Sequence, residues 1–244
     1  LGLALEPLSG ALLTPELYLG VLFLCALPST VQSSIAFTSI ARGNIAAAVV
    51  AASVSNLAGV FLTPLLAALR LAAHGGMASP WRAVADIVLL LLAPFVLGHL
   101  LRPWIARWVL KRARLLAMSD RGTILMVVYG AFSHAVIEGL WRQVPGSRLL
   151  GLVALSCLLL ALVMAALWFA SGRLGFARAD RITILFCGSK KSLATGVPMA
   201  NLLFAGEASL GMFVLPLMLF HQIQLMVCAA LAQRLSRAPT PDAQ

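Results

Sequence analysis

Long apolar runs separated by short linkers make up most of the chain. Each run is close to the roughly 20 residues that a helix needs to cross the hydrocarbon core of a bilayer. The pattern therefore predicts an all-α polytopic membrane protein with seven complete crossings. The predicted crossings are residues 17–40, 45–69, 84–101, 123–140, 149–171, 182–204 and 210–232, with a basic linker between residues 101 and 123.

Two of these runs carry polar residues at their centres, where a plain membrane helix would be apolar. Proline removes a backbone donor, and a charged side chain in hydrocarbon must face protein, water or a ligand. We therefore predict that both helices are interrupted, although a simple proline kink would also account for the first. The polar residues are Ser29, Thr30, Gln32, Ser33 and Ser34 after Pro28 in the first run, and Ser189, Lys190, Lys191 and Ser192 after Gly188 in the sixth.

The order of the two interrupted runs suggests how they are arranged. They are five crossings apart, so the two helices cross the membrane in opposite directions. This is the pattern of an inverted-topology repeat, in which two broken helices meet near the middle of the bilayer. Their half-helix N-termini would present unpaired N–H groups that suit an anion. The pattern favours a secondary transporter, with the polar residues of both runs as candidate substrate-binding or ion-binding residues.

Two further polar residues extend this candidate site. Asn56 lies in the second run, where an amide bonds a neighbouring helix at least as readily as a ligand. His221 lies in the last run beside Gln222 and Gln224, which favours a polar cavity, although bonding between helices is a fair alternative.

Composition excludes a soluble domain. The chain is 61% hydrophobic and 11% charged, with a mean hydropathy of +0.98, more apolar surface than the interior of a soluble domain can absorb. The basic residues lie mostly in the linkers: assigning the linkers to alternate sides places twelve on one side and four on the other, and Lys190 and Lys191 complete the 18. By the positive-inside rule the richer side is cytoplasmic, and so is the C-terminus. The net charge of +10 therefore needs no nucleic-acid partner.

The titratable residues do not indicate an enzyme. The four cysteines lie in apolar runs without metal or redox spacing, and we expect them to act as small hydrophobic residues. His134 and Glu138 stand four residues apart on one predicted helix and could form either a bonded pair or a proton relay. No cluster of histidine, cysteine or acidic residues has catalytic or metal-binding spacing, so we expect neither catalysis nor a metal site.

Two stretches of the chain closely resemble the bile acid:sodium symporter family, solute carrier family 10, and in particular its member-7-like branch with many bacterial transporters. They are LPSTVQSSIAFTSIARGN at residues 27–44 and FCGSKKSLATGVP at residues 186–198. The resemblance extends over the whole chain. It implies ten crossings in two inverted five-helix repeats, divided between a panel domain and a core domain in which two broken helices cross. On that alignment residues 1–244 are a single transporter domain, from the end of the third helix through the tenth.

The start of the chain fits this alignment. Residues 1–7 lack a basic region and a cleavage site, so we interpret them as the end of a further helix, whose beginning is missing, rather than as a signal peptide.

The chain departs from the family at the position of the cation ligands. Sodium-using members supply a glutamate and a glutamine where this chain has Phe186 or Cys187 and then Lys190 or Lys191. The oxygens of Ser33, Ser34 and Ser53 persist, but an ammonium opposes sodium, which prefers oxygen ligands. We expect Lys190 to replace the bound cation as a fixed positive charge that could also exchange a proton. The alternative is that both lysines only pair with carbonyls of the broken helices and a buried acid.

These observations predict a transporter of a small organic anion that works by alternating access in the inner membrane. The coupling ion is left open between Na⁺ and H⁺, and no other cofactor is expected. The alternative is a membrane regulatory or scaffold protein that keeps the transporter fold without moving a solute.

Overall fold

A computed structural model describes residues 13–73, 80–137, 139, 144–203 and 210–237. These residues are helical, with nine α-helices and no β-strand among them, which confirms the all-α prediction. The helices are α1 (Pro15–Ala26), α2 (Val31–Ile40), α3 (Ile45–Ala73), α4 (Pro80–Lys111), α5 (Ala113–Ile137), α6 (Gly146–Arg173), α7 (Arg178–Ser189), α8 (Leu193–Leu203) and α9 (Leu210–Arg237).

The first polar run is interrupted as predicted. Helix α1 ends at Ala26, and residues 27–30, which we call the first break, separate it from α2. A residue before proline is sterically pushed out of the helical region, and Leu27 accordingly adopts φ −68° and ψ 148°. The axes of α1 and α2 differ by 63°, which is a change of direction rather than a kink within one continuous helix.

The second polar run is interrupted without a proline inside the gap. Helix α7 ends at Ser189, and residues 190–192, the second break, precede α8. Lys190 is extended, with φ −90° and ψ 151°. A new helix then starts because the Ser192 hydroxyl accepts a hydrogen bond from the backbone N–H of Thr195 at 3.2 Å, the pattern of a serine N-cap.

The predicted basic linker between residues 101 and 123 is itself helical. Helix α4 continues to Lys111, and Arg112 alone separates it from α5. Residues 104–119 contain no glycine or proline and are rich in alanine, leucine and arginine, which favour helix. The positive charges there mark the end of an apolar run, but not the end of a helix.

Two helices of the described residues are long and apolar enough to cross a membrane, Gly146–Arg173 and Gly211–Arg237. The number rises to four if two bent pairs each count as one span: α1 with α2, and residues 45–59 with residues 61–67 of α3. The chain is thus a multi-pass helical protein, while the count of seven crossings stays a prediction.

The core lies between the broken helices and the last helix. Helix α9 packs along α1, and α6 packs along α7. Helix α9 comes close to α1 at Gly20, where a Cβ atom would lie 2.4 Å from the Phe213 carbonyl oxygen. Helices α4 and α5 instead present large apolar side chains on their outer surface, among them Leu89, Met126 and Tyr129. This arrangement places the two breaks inside the protein and leaves apolar faces for lipid.

Candidate site at the two helix breaks

The two breaks contact each other through backbone and side-chain hydrogen bonds. The backbone N–H of Ser192 donates to the Pro28 carbonyl at 3.0 Å. The Lys191 ammonium donates to the carbonyls of Cys25 at 2.9 Å and Leu27 at 2.8 Å. These carbonyls belong to the C-terminal end of α1, where the helix dipole favours a positive charge. Lys191 therefore acts as a side-chain cap on a helix that is distant in sequence.

A side chain of α3 also bonds the C-terminal end of α1. Thr63 on α3 is fully buried, and its hydroxyl donates to the Ala26 carbonyl at 2.8 Å. Carbonyls at the end of a helix have no partner within the helix and must be bonded elsewhere when they are buried. Helix α3 and the second break thus both donate hydrogen bonds to carbonyls at the end of α1.

The backbone of Lys191 is held by a buried amide on α9. Gln224 is 0% exposed; its Oε1 accepts from the Lys191 N–H at 2.9 Å and its Nε2 donates to the Lys191 carbonyl at 2.7 Å. Nε2 also lies 2.8 Å from Nδ1 of His221. Nδ1 of His221 also lies 3.3 Å from the Lys191 carbonyl oxygen, so it accepts from the Gln224 amide in one tautomer and donates to this carbonyl in the other.

Lys190 has a different environment from its neighbour. Successive side chains of an extended backbone point to opposite sides, so Lys190 turns away from α1. Its side chain is 1% exposed, and its Nζ lies 3.8 Å from the centre of the Phe37 ring. Cys187 and Cys228 are also close enough to interact with this charge. Among the described residues no hydrogen-bond acceptor reaches Nζ, so an aromatic face is the main stabilising contact of this ammonium.

Hydroxyl groups line the first break. The Ser29 N–H donates to the Ser55 hydroxyl at 3.1 Å, and the Ser29 and Ser34 hydroxyls are 3.2 Å apart. Ser34 also donates to the Phe186 carbonyl at 3.4 Å, which links the first break to α7. The Thr30 hydroxyl bonds the Ser33 hydroxyl at 2.6 Å and makes no hydrogen bond to the first turn of α2. The beginning of α2 is therefore left without a side-chain cap.

The remaining candidate residues are placed less centrally. Gln32 and Ser53 are exposed. Asn56 is partly buried, and its Oδ1 has no hydrogen-bond partner among the described residues. Ser189 bonds back to the Leu185 carbonyl of its own helix at 2.7 Å. The hypothesis for His134 and Glu138 lies outside what can be described, because Glu138 and the His134 side chain fall beyond the described residues.

Sequence analysis did not select three of the residues that build this site: Ser55, Thr63 and Gln224. Each bonds backbone groups at or next to a break, and Gln224 also bonds the His221 side chain. Gln224 carried a signal, because it is an amide in an apolar run beside His221. Within the described ranges, no three histidine, cysteine or acidic side chains come close enough to hold a metal ion.

A second connection joins the turn after α2 to the start of α7. The backbone N–H of Asn44 donates to the Ala179 carbonyl at 3.2 Å, and its side-chain amide donates to Asp180 at 2.9 Å. The Thr183 hydroxyl returns a bond to the Asn44 carbonyl at 3.0 Å. Gly43 permits this contact, since a Cβ there would lie 2.8 Å from the Ile182 side chain. The end of α2 is therefore fixed against the beginning of α7.

Comparison with known proteins places the chain in a class of membrane transporters. The chain belongs to the SBF-like CPA transporter family, whose family model matches residues 1–237. This result confirms the resemblance drawn from the two polar stretches.

Relatives from bacteria and animals agree with this assignment. The uncharacterized protein PA2026 of Pseudomonas aeruginosa is 61% identical over 97% of this chain and 71% of its own length. YfeH of Escherichia coli, which is named as a symporter, is 57% identical over 91% of this chain and 67% of its own length. Sodium/bile acid cotransporter 7 of Rattus norvegicus is 26% identical over 94% of this chain and 67% of its own length. The names of the last two relatives describe transporters rather than enzymes.

Proposed function

We propose that this protein is a secondary transporter that moves a small organic anion by alternating access, with the two helix breaks as its binding centre. The observation that carries the proposal is the contact between the breaks, in which Lys191 and Ser192 bond carbonyls of the first break while Lys190 stays buried over Phe37. Broken helices that meet around a charge are the common construction of a secondary transporter site. A buried ammonium without a hydrogen-bond acceptor suits an anionic ligand better than a cationic one.

The chain directions of the helices support an inverted repeat. Residues 190–192 touch the first break, and the start of α7 touches the turn that follows α2. Helices α2 and α7 therefore extend between the same two points of contact. Along the chain, α2 leads away from the breaks and α7 leads toward them. Opposite directions are what two repeats of inverted topology require, with the broken helices crossing between them.

Lys190 is the residue to which we assign the role of the cation. No carboxylate is among the described residues that interact with its charge. Its ring contact is with Phe37 on α2, the helix that follows the hydroxyl-lined first break. A fixed ammonium can attract an organic anion without a bound sodium ion. The coupling step is then either proton exchange on Lys190 or the use of Na⁺ at the remaining hydroxyl oxygens of Ser33, Ser34 and Ser53.

The relatives support the class of substrate. The rat relative is named for sodium and bile acid, an organic anion. For this chain we propose a substrate of the same chemical class, a small amphipathic carboxylate or sulfonate. We further propose that residues 1–244 act as one transporter domain in the inner membrane, with a cytoplasmic C-terminus supported by the charge distribution of the linkers.

A second candidate function is a membrane regulatory or scaffold protein without transport. One observation favours it: both hydrogen bonds of the Lys191 ammonium go to carbonyls of α1, which is a structural role. Under this alternative the lysines hold the two broken helices together and bind no solute.

Uptake into liposomes separates the two candidates. The purified protein is reconstituted and offered a panel of bile acids and smaller carboxylates and sulfonates under sodium, proton or potential gradients. The transporter proposal predicts saturable uptake that Lys190→Ala abolishes, whereas the exposed control Gln222→Ala leaves it unchanged. Full uptake with unaltered pH dependence in Lys190→Ala would remove the fixed-charge role. Absence of uptake under every gradient would favour the regulator.

A further inference from the structure

Around the junction of α4 and α5 lies an exposed cluster of cations and aromatic side chains outside the candidate transport site. Four residues share one face of α4 at helical spacing: Trp104, Arg107, Trp108 and Lys111. All four are exposed, Trp104 by 76% and Trp108 by 52%. We call these four residues the α4 face. Tryptophan side chains this exposed are unusual on the surface of a soluble protein. They are typical of the boundary between lipid and water.

The charge around the α4 face has a single sign. Arg102, Arg112 and Arg114 are also exposed, and no acidic residue occurs between Asp86 and Asp120. The Arg112 guanidinium stacks on the Trp108 ring at 4.7 Å from its centre. This contact holds a cation of the α4–α5 junction beside the α4 face. Several exposed cations, in a stretch of the chain without acidic residues, favour an external anion.

Apolar side chains alternate with these cations. Leu110, Leu115 and Met118 are exposed by 74%, 63% and 63%. A ligand for this surface must therefore present negative charge and hydrocarbon together. Nucleic acid and acidic peptides supply the charge without the hydrocarbon, whereas a phospholipid supplies both.

We propose that the α4 face, together with Arg112 and Arg114, binds the headgroup phosphate of an anionic phospholipid, whose acyl chains lie along the exposed apolar side chains of α4 and α5. The guanidinium groups bond the phosphate oxygens, Lys111 adds a point charge, and the two indole rings sit at headgroup level. The site fixes the position of the α4–α5 junction at the membrane surface. It is independent of the solute that the helix breaks bind.

Native mass spectrometry of the purified protein in neutral detergent tests this site, with phosphatidylglycerol and phosphatidylcholine of identical acyl chains as probes. We expect phosphatidylglycerol to bind more tightly than phosphatidylcholine. Each surface cation contributes about fivefold in affinity for an anionic membrane lipid, so the triple variant Arg107→Gln, Lys111→Gln, Arg114→Gln should lose about 100-fold. The matched control removes three exposed cations elsewhere, Arg173→Gln, Arg234→Gln and Arg237→Gln, and should retain the affinity.

Two further measurements test the lipid site on the wild-type protein. Raising the salt concentration should weaken the binding of phosphatidylglycerol by the wild-type protein, because exposed charges are screened. Glycerol phosphate, which has the charge without acyl chains, should fail to compete at equal concentration. Equal affinity for the two lipids, an equal loss in the control variant, or full competition by glycerol phosphate or by RNA would overturn the proposal.

Discussion

Exchanging each lysine of the second break for methionine distinguishes a structural cap from a functional charge. The Lys191 ammonium bonds two carbonyls at 2.8 and 2.9 Å, and Lys191→Met would remove this donor from both at the partly buried end of α1. Loss of hydrogen bonds to a charged group that leaves buried acceptors unpaired costs about 3 kcal/mol in net free energy of unfolding. For a chain of this size that corresponds to a fall in Tm of about 6–12 °C.

Lys190→Met is the matched comparison, because it makes the same chemical change one residue away. The Lys190 ammonium loses only its contact with the Phe37 ring, which is worth about 0.5–2 kcal/mol, and removing a buried charge without an acceptor offsets that loss. We expect the Tm of Lys190→Met to stay unchanged or to rise. Thermal unfolding in detergent, followed by tryptophan fluorescence, measures both variants under one condition. An equal or larger fall in Tm for Lys190→Met would refute the division of roles.

Three further changes test the packing around the breaks by the same measurement of Tm. Gln224→Leu leaves the backbone N–H and carbonyl of the second break unpaired and should cost about 2–4 kcal/mol, whereas Gln222→Leu, exposed on the same helix, should change stability by less than about 0.5 kcal/mol. Gly59→Ala should cost about 1–3 kcal/mol because its Cβ would lie 2.5 Å from the proline of the first break, and Gly98→Ala, with nothing within 4 Å, should be neutral or stabilise by about 0.5–1 kcal/mol. Thr63→Val removes the donor to the last carbonyl of α1 and should cost about 1–2 kcal/mol. A control that falls as far as its partner would contradict the corresponding assignment.

The sequence predicted the helical class and both breaks, because each rests on a local signal. Apolar runs define membrane helices by length, and a proline or a pair of lysines inside such a run has few structural solutions. The family also followed from the two polar stretches. The helical form of the basic linker was not predicted, since charge reports the membrane boundary, while helix formation depends on backbone propensity, and the residues around Arg112 are good helix formers.

The roles of individual site residues were harder to predict, for a geometric reason. Lys190 and Lys191 have the same chemistry and adjacent positions, and only the extended backbone of the second break turns them to opposite sides. Gln224 bonds backbone groups of the second break, and those groups lack helical partners only because the tertiary structure interrupts the helix there. Ser55, rather than Ser53, bonds the first break because of the rotation of α3, which two serines two residues apart do not reveal.

The bonds from Lys191 to α1 also have a consequence for the order of biosynthesis. They join residues 164 and 166 positions apart, so α1 is synthesised long before the side chain that caps it. Until the second break has been made and inserted, the carbonyls of Cys25 and Leu27 need temporary partners such as water, lipid headgroups or the insertion machinery. The end of α1 should therefore reach its final set of hydrogen bonds only after residue 191 has been inserted.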